Sequence, residues 1–389
     1  MRATLIHHSF RELGGAESVA IATLKVLHKL GFKIDLITIQ KPQAHMLNNI
    51  LGADLIVDSI RSIFPSQIDY NRSIYFGTIA QLMTMLPNLD LNADLVVNTH
   101  ADIPLPYFTL YGTPLISYIH FPHIIHIHSI KEYPERYQRS ILWKLYFAPY
   151  CLTVSRMLHC LACYTATKSI LLTNSEFSKN TIKTLFPKAN PVVVRPPVNT
   201  QTFNKALVSS HREDRVLVVG RITPEKSLEN AVKLCRLLPQ RIKMLIVGTF
   251  VTSKRSLHYF QKLEEMISRY KLNERVEVKI NISRKELVDY MATSKVYFHP
   301  MRGEHFGIAI VEAMSAGLIP VVPDYGGQTE FVPKQYQYHE LTDAVRIIEK
   351  YFDAPQSERL KISEMTCQFS EDKFESKMKS IIEHVLEHS

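Results

Sequence analysis

The chain has 389 residues, of which 46% are hydrophobic and 21% are charged, so it has ample material for a folded core. This length exceeds the roughly 250–300 residues at which one hydrophobic core usually divides, and two domains are therefore expected. The formal net charge of +9 favours an anionic partner, such as a phosphorylated substrate or an anionic membrane surface. Nucleic acid is not expected as a partner, because neither a binding motif nor a dense block of Lys and Arg accompanies the charge.

Targeting and redox signals are weak. The apolar stretch at the start of the chain is too short for a signal peptide and is too soon followed by polar residues. It predicts a strand instead. The sequence has no uninterrupted apolar run of about 18 residues, so no membrane-spanning helix is expected. The odd number of cysteines does not suggest a disulfide framework, and we expect core cysteines in a reducing compartment. They are Cys151, Cys160, Cys163, Cys235 and Cys367.

In chain order, short β-rich runs alternate with helical patterns in two series. The first series runs from residue 4 to about 175, and the second restarts after the proline-marked segment 192–203. Such alternation is typical of parallel sheets covered by helices on both faces. The sequence therefore predicts two doubly wound, Rossmann-like α/β domains facing across a cleft. We assign residues 1–199 to the first, 200–370 to the second and 371–389 to a closing amphipathic helix.

The loop after the first strand contains Gly14 and Gly15 directly before a helix. Paired glycines let the backbone approach a ligand closely, and the following helix N-terminus favours an anion. A tight strand-to-helix turn without a ligand is the alternative. The loop lacks the G-x-G-x-x-G spacing of dinucleotide enzymes, which disfavours a dehydrogenase.

The first strand of the second series is followed by the loop that contains Arg221 and Lys226. Two cations there could neutralise a diphosphate, because Arg forms forked hydrogen bonds and Lys acts as a point charge. The alternative is a solvated helix start whose charges face water.

Two glutamates, Glu304 and Glu312, are separated by seven residues in the segment GEHFGIAIVEAMSAGLIPVV, residues 303–322. The pattern predicts a strand, a loop that holds Glu304, and a helix from about residue 307 to 316 that holds Glu312. The start of that helix offers backbone N–H groups to a phosphate. A carboxylate can accept hydrogen bonds from two sugar hydroxyls, and a buried glutamate without a partner would be costly. A surface Glu312 paired with a lysine is the alternative, although its neighbours are apolar.

The segments GRITPEK and GEHFGIAIVEAMSAGLIPVVPDYGGQTE together resemble the retaining glycosyltransferases of family 4, which have the GT-B fold. SYIHFPHI (117–124) and VVVRPPV (192–198) are most similar to the branch that transfers mannose from GDP-mannose with α-1,2 linkage to dolichol-linked oligosaccharide. The resemblance implies a retaining mannosyltransferase of asparagine-linked glycosylation. It would act on a lipid-linked saccharide, as a peripheral protein at the cytoplasmic face of a membrane. In this fold the closing helix often packs back on the first domain.

The resemblance also implies a role for each loop. Arg221 and Lys226 would hold the donor diphosphate, and Glu312 would bind ribose hydroxyls. Gly14 and Gly15 would close on the donor from the opposite domain. The donor sugar and the distal phosphate would be held by Glu304 and the backbone of His305, Phe306, Gly307 and Ile308. His120, at a strand end, would lie near the sugar and the attacking hydroxyl, so the catalytic set is Glu304, His120, Arg221 and Lys226.

The region that begins at His120 could contain a metal site or a membrane-facing surface. His120, His123, His126 and His128 could suggest a metal site, but no carboxylate follows before Glu132, and the chain lacks an Asp-x-Asp motif. We therefore expect no metal and no other cofactor. The stretch from residue 133 to 150 is rich in aromatic and basic residues and could lie on an anionic membrane surface. Residues 151–168 are expected to be core.

Three other functions stay open at this point. The donor could be linked to UDP or ADP, or the acceptor could differ. The chain could be a non-catalytic subunit that binds a nucleotide sugar, although the intact set of Arg221, Lys226, Glu304 and Glu312 argues against it. A GT-B epimerase would turn over the donor without an acceptor.

Overall fold

The computed structural model describes residues 1–10, 14–40, 42, 57–64, 93–99, 112–122, 148–209, 211–250 and 254–388. The chain forms two compact units. Unit 1 consists of Met1–Pro197 together with Asp372–Ser389, and unit 2 consists of Val198–Glu371. The predicted α/β architecture, with a parallel sheet in each of two units, is confirmed.

Unit 1 is built on a parallel sheet with the strand order β3-β2-β1-β4-β5-β6-β7. Its strands β4 and β5 are apolar and buried along their whole length, as expected for a sheet covered on both faces. The strands are β1 Arg2–His7, β2 Lys33–Gln40, β3 Ser59–Phe64, β4 Leu95–Asn98, β5 Leu115–Ile119, β6 Ile170–Thr173 and β7 Val192–Val193.

Four described helices belong to unit 1. They are α1 Gly15–Lys29, α2 Ala148–Lys168, α3 Glu176–Leu185 and the closing helix, here α11, Glu371–Glu387. The side chain of Ser175 accepts a hydrogen bond from the backbone N–H of Ser178, which satisfies one of the free donors at the start of α3.

The closing helix packs into the core of unit 1, although unit 2 precedes it in the chain. Its buried face contributes Phe374, Met378, Ile382 and Val385 to the cluster that also contains strands β1, β2 and β4. The ring of Phe374 lies 6.4 Å from that of Tyr118 on β5, and Glu375 forms an ion pair with Lys29 on α1. These contacts make the helix an integral part of unit 1.

Unit 2 has a parallel sheet of its own, with the strand order β10-β9-β8-β11-β12-β13. Its strands are β8 Arg215–Val219, β9 Lys243–Gly248, β10 Val276–Ile280, β11 Val296–Phe298, β12 Ile319–Pro323 and β13 Gln337–Tyr338. The covering helices are α4 Thr200–Asn204, α5 Glu229–Leu237, α6 Lys254–Arg269, α7 Arg284–Thr293, α8 Ile308–Ser315, α9 Leu341–Tyr351 and α10 Gln356–Glu364. Helix α7 begins with a capping box, in which the side chains of Ser283 and Glu286 each accept a hydrogen bond from the other residue's backbone N–H.

The order of strands in unit 2 reverses between β8 and β11, which are direct neighbours. The chain leaves β8 toward β9 on one side, whereas β11 leads to β12 on the other. Loops at the carboxyl ends of two such strands diverge and leave a crevice between them, which is the usual ligand site of doubly wound folds. The loops in question contain Arg221 and Lys226 after β8, and Glu304 after β11.

Two expectations about burial are wrong in part. Cys235 is buried as expected, but Cys160 and Cys367 are exposed. In the described part of helix α2, Ala162, Thr165 and Ala166 are buried, whereas Tyr164 is 39% exposed. This part of the helix is therefore buried on one face only.

Within the described part of the chain, no helix combines the length and the apolar character that crossing a bilayer requires.

The packing of the closing helix leads to a stability prediction. Met378 is fully buried, so Met378→Ala should lower the free energy of unfolding by about 2–5 kcal/mol through the cavity it leaves. Lys377→Ala, on the exposed face of the same helix, is the matched control and should change it by less than about 0.5 kcal/mol. Equal effects of the two substitutions in urea unfolding would show that the helix does not pack as described.

Candidate functional site

The loop after β8 is short and rigid. It ends in a single turn of 3-10 helix, Pro224–Lys226, which is closed by Ser227 in a left-handed conformation with φ of 51°. The aliphatic stem of Lys226 passes over Gly220, where an added Cβ would lie 3.7 Å from its Cγ. This packing directs the ammonium group of Lys226 toward the loop that follows β11.

The backbone of Glu304 is fixed by a glycine turn after β12. Glu304 and Gly326 form an isolated parallel bridge, and the N–H of Gly327 donates to the carbonyl of Glu304 at 2.7 Å. Gly326 has a φ of 132°, and an added Cβ would lie 2.8 Å from the Glu304 nitrogen. Only glycine meets both demands, so the Gly-Gly pair after β12 holds the loop that contains Glu304 in place.

The side chain of Glu304 is the centre of a charged cluster. The ammonium of Lys226 lies 2.5 Å from Oε2, and Nε2 of His299 lies 3.3 Å from the same oxygen. The backbone N–H of His305 donates to Oε1 at 3.2 Å. Glu304 is 9% exposed and His299 is 3% exposed, so the cluster is largely shielded from water.

Burial and charge oppose each other at this cluster. Burial alone would raise the pKa of Glu304, but the charge of Lys226 and the nearby imidazole of His299 outweigh it and hold this pKa well below its ordinary value. Burial lowers the pKa of His299 despite the nearby carboxylate. At neutral pH the cluster therefore contains an ionised Glu304 beside a neutral imidazole.

Glu312 lies inside α8 and is 6% exposed. Its Oε1 accepts a hydrogen bond from Nη2 of Arg284 at 2.7 Å, and the guanidinium of Arg284 lies over the ring of Phe203. Burial raises the pKa of Glu312, and the attraction of Arg284 only partly opposes this rise, since the arginine side chain is half exposed. No hydrogen bond to the second oxygen of Glu312, Oε2, is seen from the residues that the structure describes.

The start of α8 is shaped by Gly307, the N-cap, which has a φ of 97°. An added Cβ there would lie 2.5 Å from Cδ1 of Ile310. The first N–H groups of a helix lack acceptors within it, which suits an anion. The N–H of His305 donates to the side chain of Glu304, and the side chain of Phe306 is buried against Phe331 and Phe369, which leaves the backbone of Phe306 for the predicted role.

In unit 1, the predicted residues lie at the carboxyl ends of its strands. Gly14 is the N-cap of α1, and its N–H donates to the carboxylate of Glu17 at 2.9 Å, while Gly15 begins the helix. His120 follows β5, with its Nε2 3.3 Å from the carbonyl oxygen of Thr99 after β4. His7 at the end of β1 contacts the hydroxyl of the same Thr99 at 3.0 Å.

The structure brings Lys226 and Glu304 into contact, a pairing that the sequence did not predict. Arg221 is exposed, and no hydrogen bond or ion pair is seen between its side chain and another of the residues described. His123, His126 and His128 lie outside the described residues, as does most of the predicted membrane face, residues 133–147.

Sequence reasoning missed two residues of this site, His299 and Arg284. His299 ends an apolar strand at the same edge of the sheet as Glu304, and that position is a usable signal. Arg284 offered none, because its pairing with Glu312 joins two helices that are distant in sequence.

Residues 199–351 match the family model described as glycosyl transferases group 1. A Caenorhabditis elegans protein named GDP-Man:Man(3)GlcNAc(2)-PP-Dol alpha-1,2-mannosyltransferase is 23% identical over 73% of this chain and 66% of its own length. A human protein of the same name is 30% identical over 41% of this chain and 34% of its own length. The chain thus spans less than two thirds of the length of these curated relatives.

Solved structures share the fold over nearly the whole chain. Anabaena Alr3699/HepE in complex with UDP-glucose has a TM-score of 0.71 and 16% identity, and it covers 99% of this chain and 100% of its own. A glycosyltransferase from Rickettsia africae has a TM-score of 0.69 and 16% identity, with 100% and 99% covered. The chain therefore has the GT-B fold of these solved structures, and its residues 199–351 are similar to the glycosyl transferases of group 1.

Proposed function

We propose that the protein is a retaining glycosyltransferase that transfers mannose from GDP-mannose to a lipid-linked saccharide. The observation that supports this most is the cluster at the strand-order reversal of unit 2, where an ionised, buried Glu304 contacts Lys226 beside the start of α8. A fixed anion, a cation and a helix N-terminus at one place suit a ligand that combines a sugar with a diphosphate.

The donor would be held at two points along the segment from Glu304 to Glu312. Lys226 and the first N–H groups of α8 would neutralise the diphosphate. Glu312, one to two turns further into the helix, would accept hydrogen bonds from the ribose hydroxyls, with Arg284 fixing the orientation of its carboxylate. Arg221, exposed at the start of the loop after β8, would add a second cation for the diphosphate.

The chemistry would depend on charge placed before the reaction begins. Breaking the glycosidic bond develops positive charge on the sugar and negative charge on the leaving diphosphate. Glu304 would face the sugar and stabilise the first, and Lys226 would stabilise the second. His120 in unit 1 would contact the sugar and the attacking hydroxyl.

The choice of mannose and GDP is supported by the relatives' names, which specify GDP-mannose and a dolichol-linked oligosaccharide. A structural neighbour binds UDP-glucose, so a UDP-linked donor is the competing assignment. A panel of GDP-, UDP- and ADP-linked sugars decides between them by thermal shift and by transfer to short-chain lipid-linked saccharides. We expect GDP-mannose to stabilise the protein most, and stabilisation by UDP or ADP sugars alone would overturn the donor assignment. Release of GDP without an acceptor, together with an altered sugar, would point to an epimerase.

Metal independence is a further proposal. Lys226, Arg221 and the amides of α8 offer charge compensation for a diphosphate without a cation. Saturating EDTA should therefore leave most of the transfer activity intact. Activity that EDTA abolishes and Mn²⁺ restores would contradict the proposal.

The two glutamates should differ in kinetics. Ribose binding by Glu312 is equal in the ground and transition states, so Glu312→Gln should raise the donor KM and weaken GDP binding. Glu304 helps the transition state more, so Glu304→Gln should lower kcat by about 10²-fold or more while GDP binding stays near normal. Steady-state rates and calorimetry with GDP measure both. Identical profiles of the two variants would refute this division of roles.

The same two variants should change stability in opposite directions. The lowered pKa of Glu304 gives stability that is present above its ordinary pKa and is lost as the pH falls through the depressed value. Glu304→Gln should therefore lower the Tm at neutral pH. The raised pKa of Glu312 destabilises the fold once the pH exceeds that value, so Glu312→Gln should keep or raise the Tm at neutral pH, with no gain below the ordinary glutamate pKa.

We also propose a peripheral association with the cytoplasmic face of a membrane, where a lipid-linked acceptor would be found. Residues 133–150 combine aromatic and basic side chains, and the chain has a net charge of +9. The protein should bind anionic vesicles, more weakly at higher salt. Replacement of Arg136, Arg139 and Lys144 by Glu should reduce this binding without lowering the Tm. Equal binding by the triple variant would show that these basic residues are not responsible.

A further inference from the structure

Lys226 has two competing partners if the proposed function is correct. In this structure its ammonium lies 2.5 Å from Oε2 of Glu304. A donor diphosphate carries more negative charge than one carboxylate, so it would draw the same ammonium toward itself. An ammonium is a compact point charge on a flexible stem and can turn toward the new partner.

Glu304 would then lose part of the positive charge that compensates its own negative charge. The side chain of Glu304 is 12% exposed, so water can replace the lost contact only in part. The N–H of His305 serves the other oxygen, Oε1, at 3.2 Å. A buried carboxylate oxygen that accepts no hydrogen bond is energetically costly, and the carboxylate is then also free to turn away from the sugar.

His299 is placed to take over that oxygen. It is 3% exposed. Its Nε2 lies 3.3 Å from Oε2, but the geometry is not that of a full hydrogen bond. No other polar group in the described ranges hydrogen-bonds to this nitrogen. The imidazole is thus a buried donor whose nearest acceptor is the oxygen that Lys226 occupies.

The ring of His299 is held from several sides. Its backbone N–H donates to the carbonyl of Val321 at 2.9 Å, and its carbonyl accepts from the hydroxyl of Tyr338 at 2.9 Å. The hydroxyl of Tyr297 lies 3.4 Å from Nδ1. Because a carboxylate faces Nε2, the proton belongs on Nε2, and Nδ1 is left as an acceptor beside the hydroxyl of Tyr297, which also faces the carbonyl of Val219.

We propose that His299 is a positioning residue, whose Nε2–H holds Oε2 of Glu304 when the donor diphosphate engages Lys226. This proposal rests on the proposed transfer reaction and deepens it. A neutral imidazole orients the carboxylate without cancelling its charge, whereas an ammonium does both. The handover would leave Glu304 oriented and fully anionic at the moment when positive charge develops on the sugar.

Two substitutions test the proposal. His299→Leu removes the hydrogen-bond donor, and His299→Gln keeps an N–H near the position of Nε2. His299→Leu should lower kcat by about 10- to 100-fold, the range for one hydrogen bond to a charged group, while GDP affinity changes by less than about twofold. His299→Gln should recover a large share of kcat. His384→Asn, at an exposed position of α11, is the matched control and should retain wild-type rates.

A folded His299→Leu variant with wild-type kcat would overturn the proposal, as would a Gln variant no better than Leu. If wild-type protein transfers no sugar from any donor, the proposed function fails instead, and a second readout still decides the role of His299. Nitrogen-15 NMR of histidine-labelled wild-type protein should show His299 neutral and protonated on Nε2, with its proton shifted downfield when GDP is added. A ring protonated on Nδ1, or unchanged by GDP, would contradict the handover.

Discussion

The arrangement of unit 2 depends on one constraint, the need to keep an ionised carboxylate in a largely buried position. Glu304 meets it through three separate loops: Lys226 comes from the loop after β8, His299 from the end of β11, and the turn at Gly326 after β12 fixes the backbone. None of these loops is close to the others by virtue of local sequence alone. The parallel sheet brings their strand ends to one edge, and the carboxylate holds them together there.

Glu304 and Glu312 show how the same side chain acquires two characters seven residues apart. Both are almost fully buried. A close ammonium keeps the pKa of Glu304 low, whereas the half-exposed Arg284 leaves the pKa of Glu312 raised. The difference comes from the solvent exposure of the partner, since a cation that is itself well hydrated compensates a buried anion less. The ionised form of Glu304 therefore stabilises the fold, whereas the ionised form of Glu312 destabilises it.

Much of the fold and part of the candidate site could be predicted from the sequence, because local residue patterns determine them. Apolar runs marked the buried strands, and the apolar neighbours of Glu312 indicated its burial. Partners distant along the chain could not be predicted. Lys226 and Glu304 are 78 residues apart, and Arg284 and Glu312 are 28 apart, so only the finished sheet and helix packing decide that they meet. The exposure of Cys160 and Cys367 was missed because a cysteine by itself does not indicate whether its position faces the core or solvent.

The closing helix has a consequence for how the protein is made. Its buried residues, such as Phe374 and Met378, complete the core of unit 1, yet they follow the whole of unit 2 in the chain. On the ribosome, unit 2 has all of its residues before unit 1 does, although unit 1 begins to emerge first. The apolar surface of unit 1 that α11 covers therefore stays uncovered while about 170 intervening residues are synthesised, roughly ten seconds or more at ribosomal speeds. The nascent chain is expected to need a chaperone over that interval, and a messenger truncated before the last helix would yield a folded unit 2 joined to an incomplete unit 1.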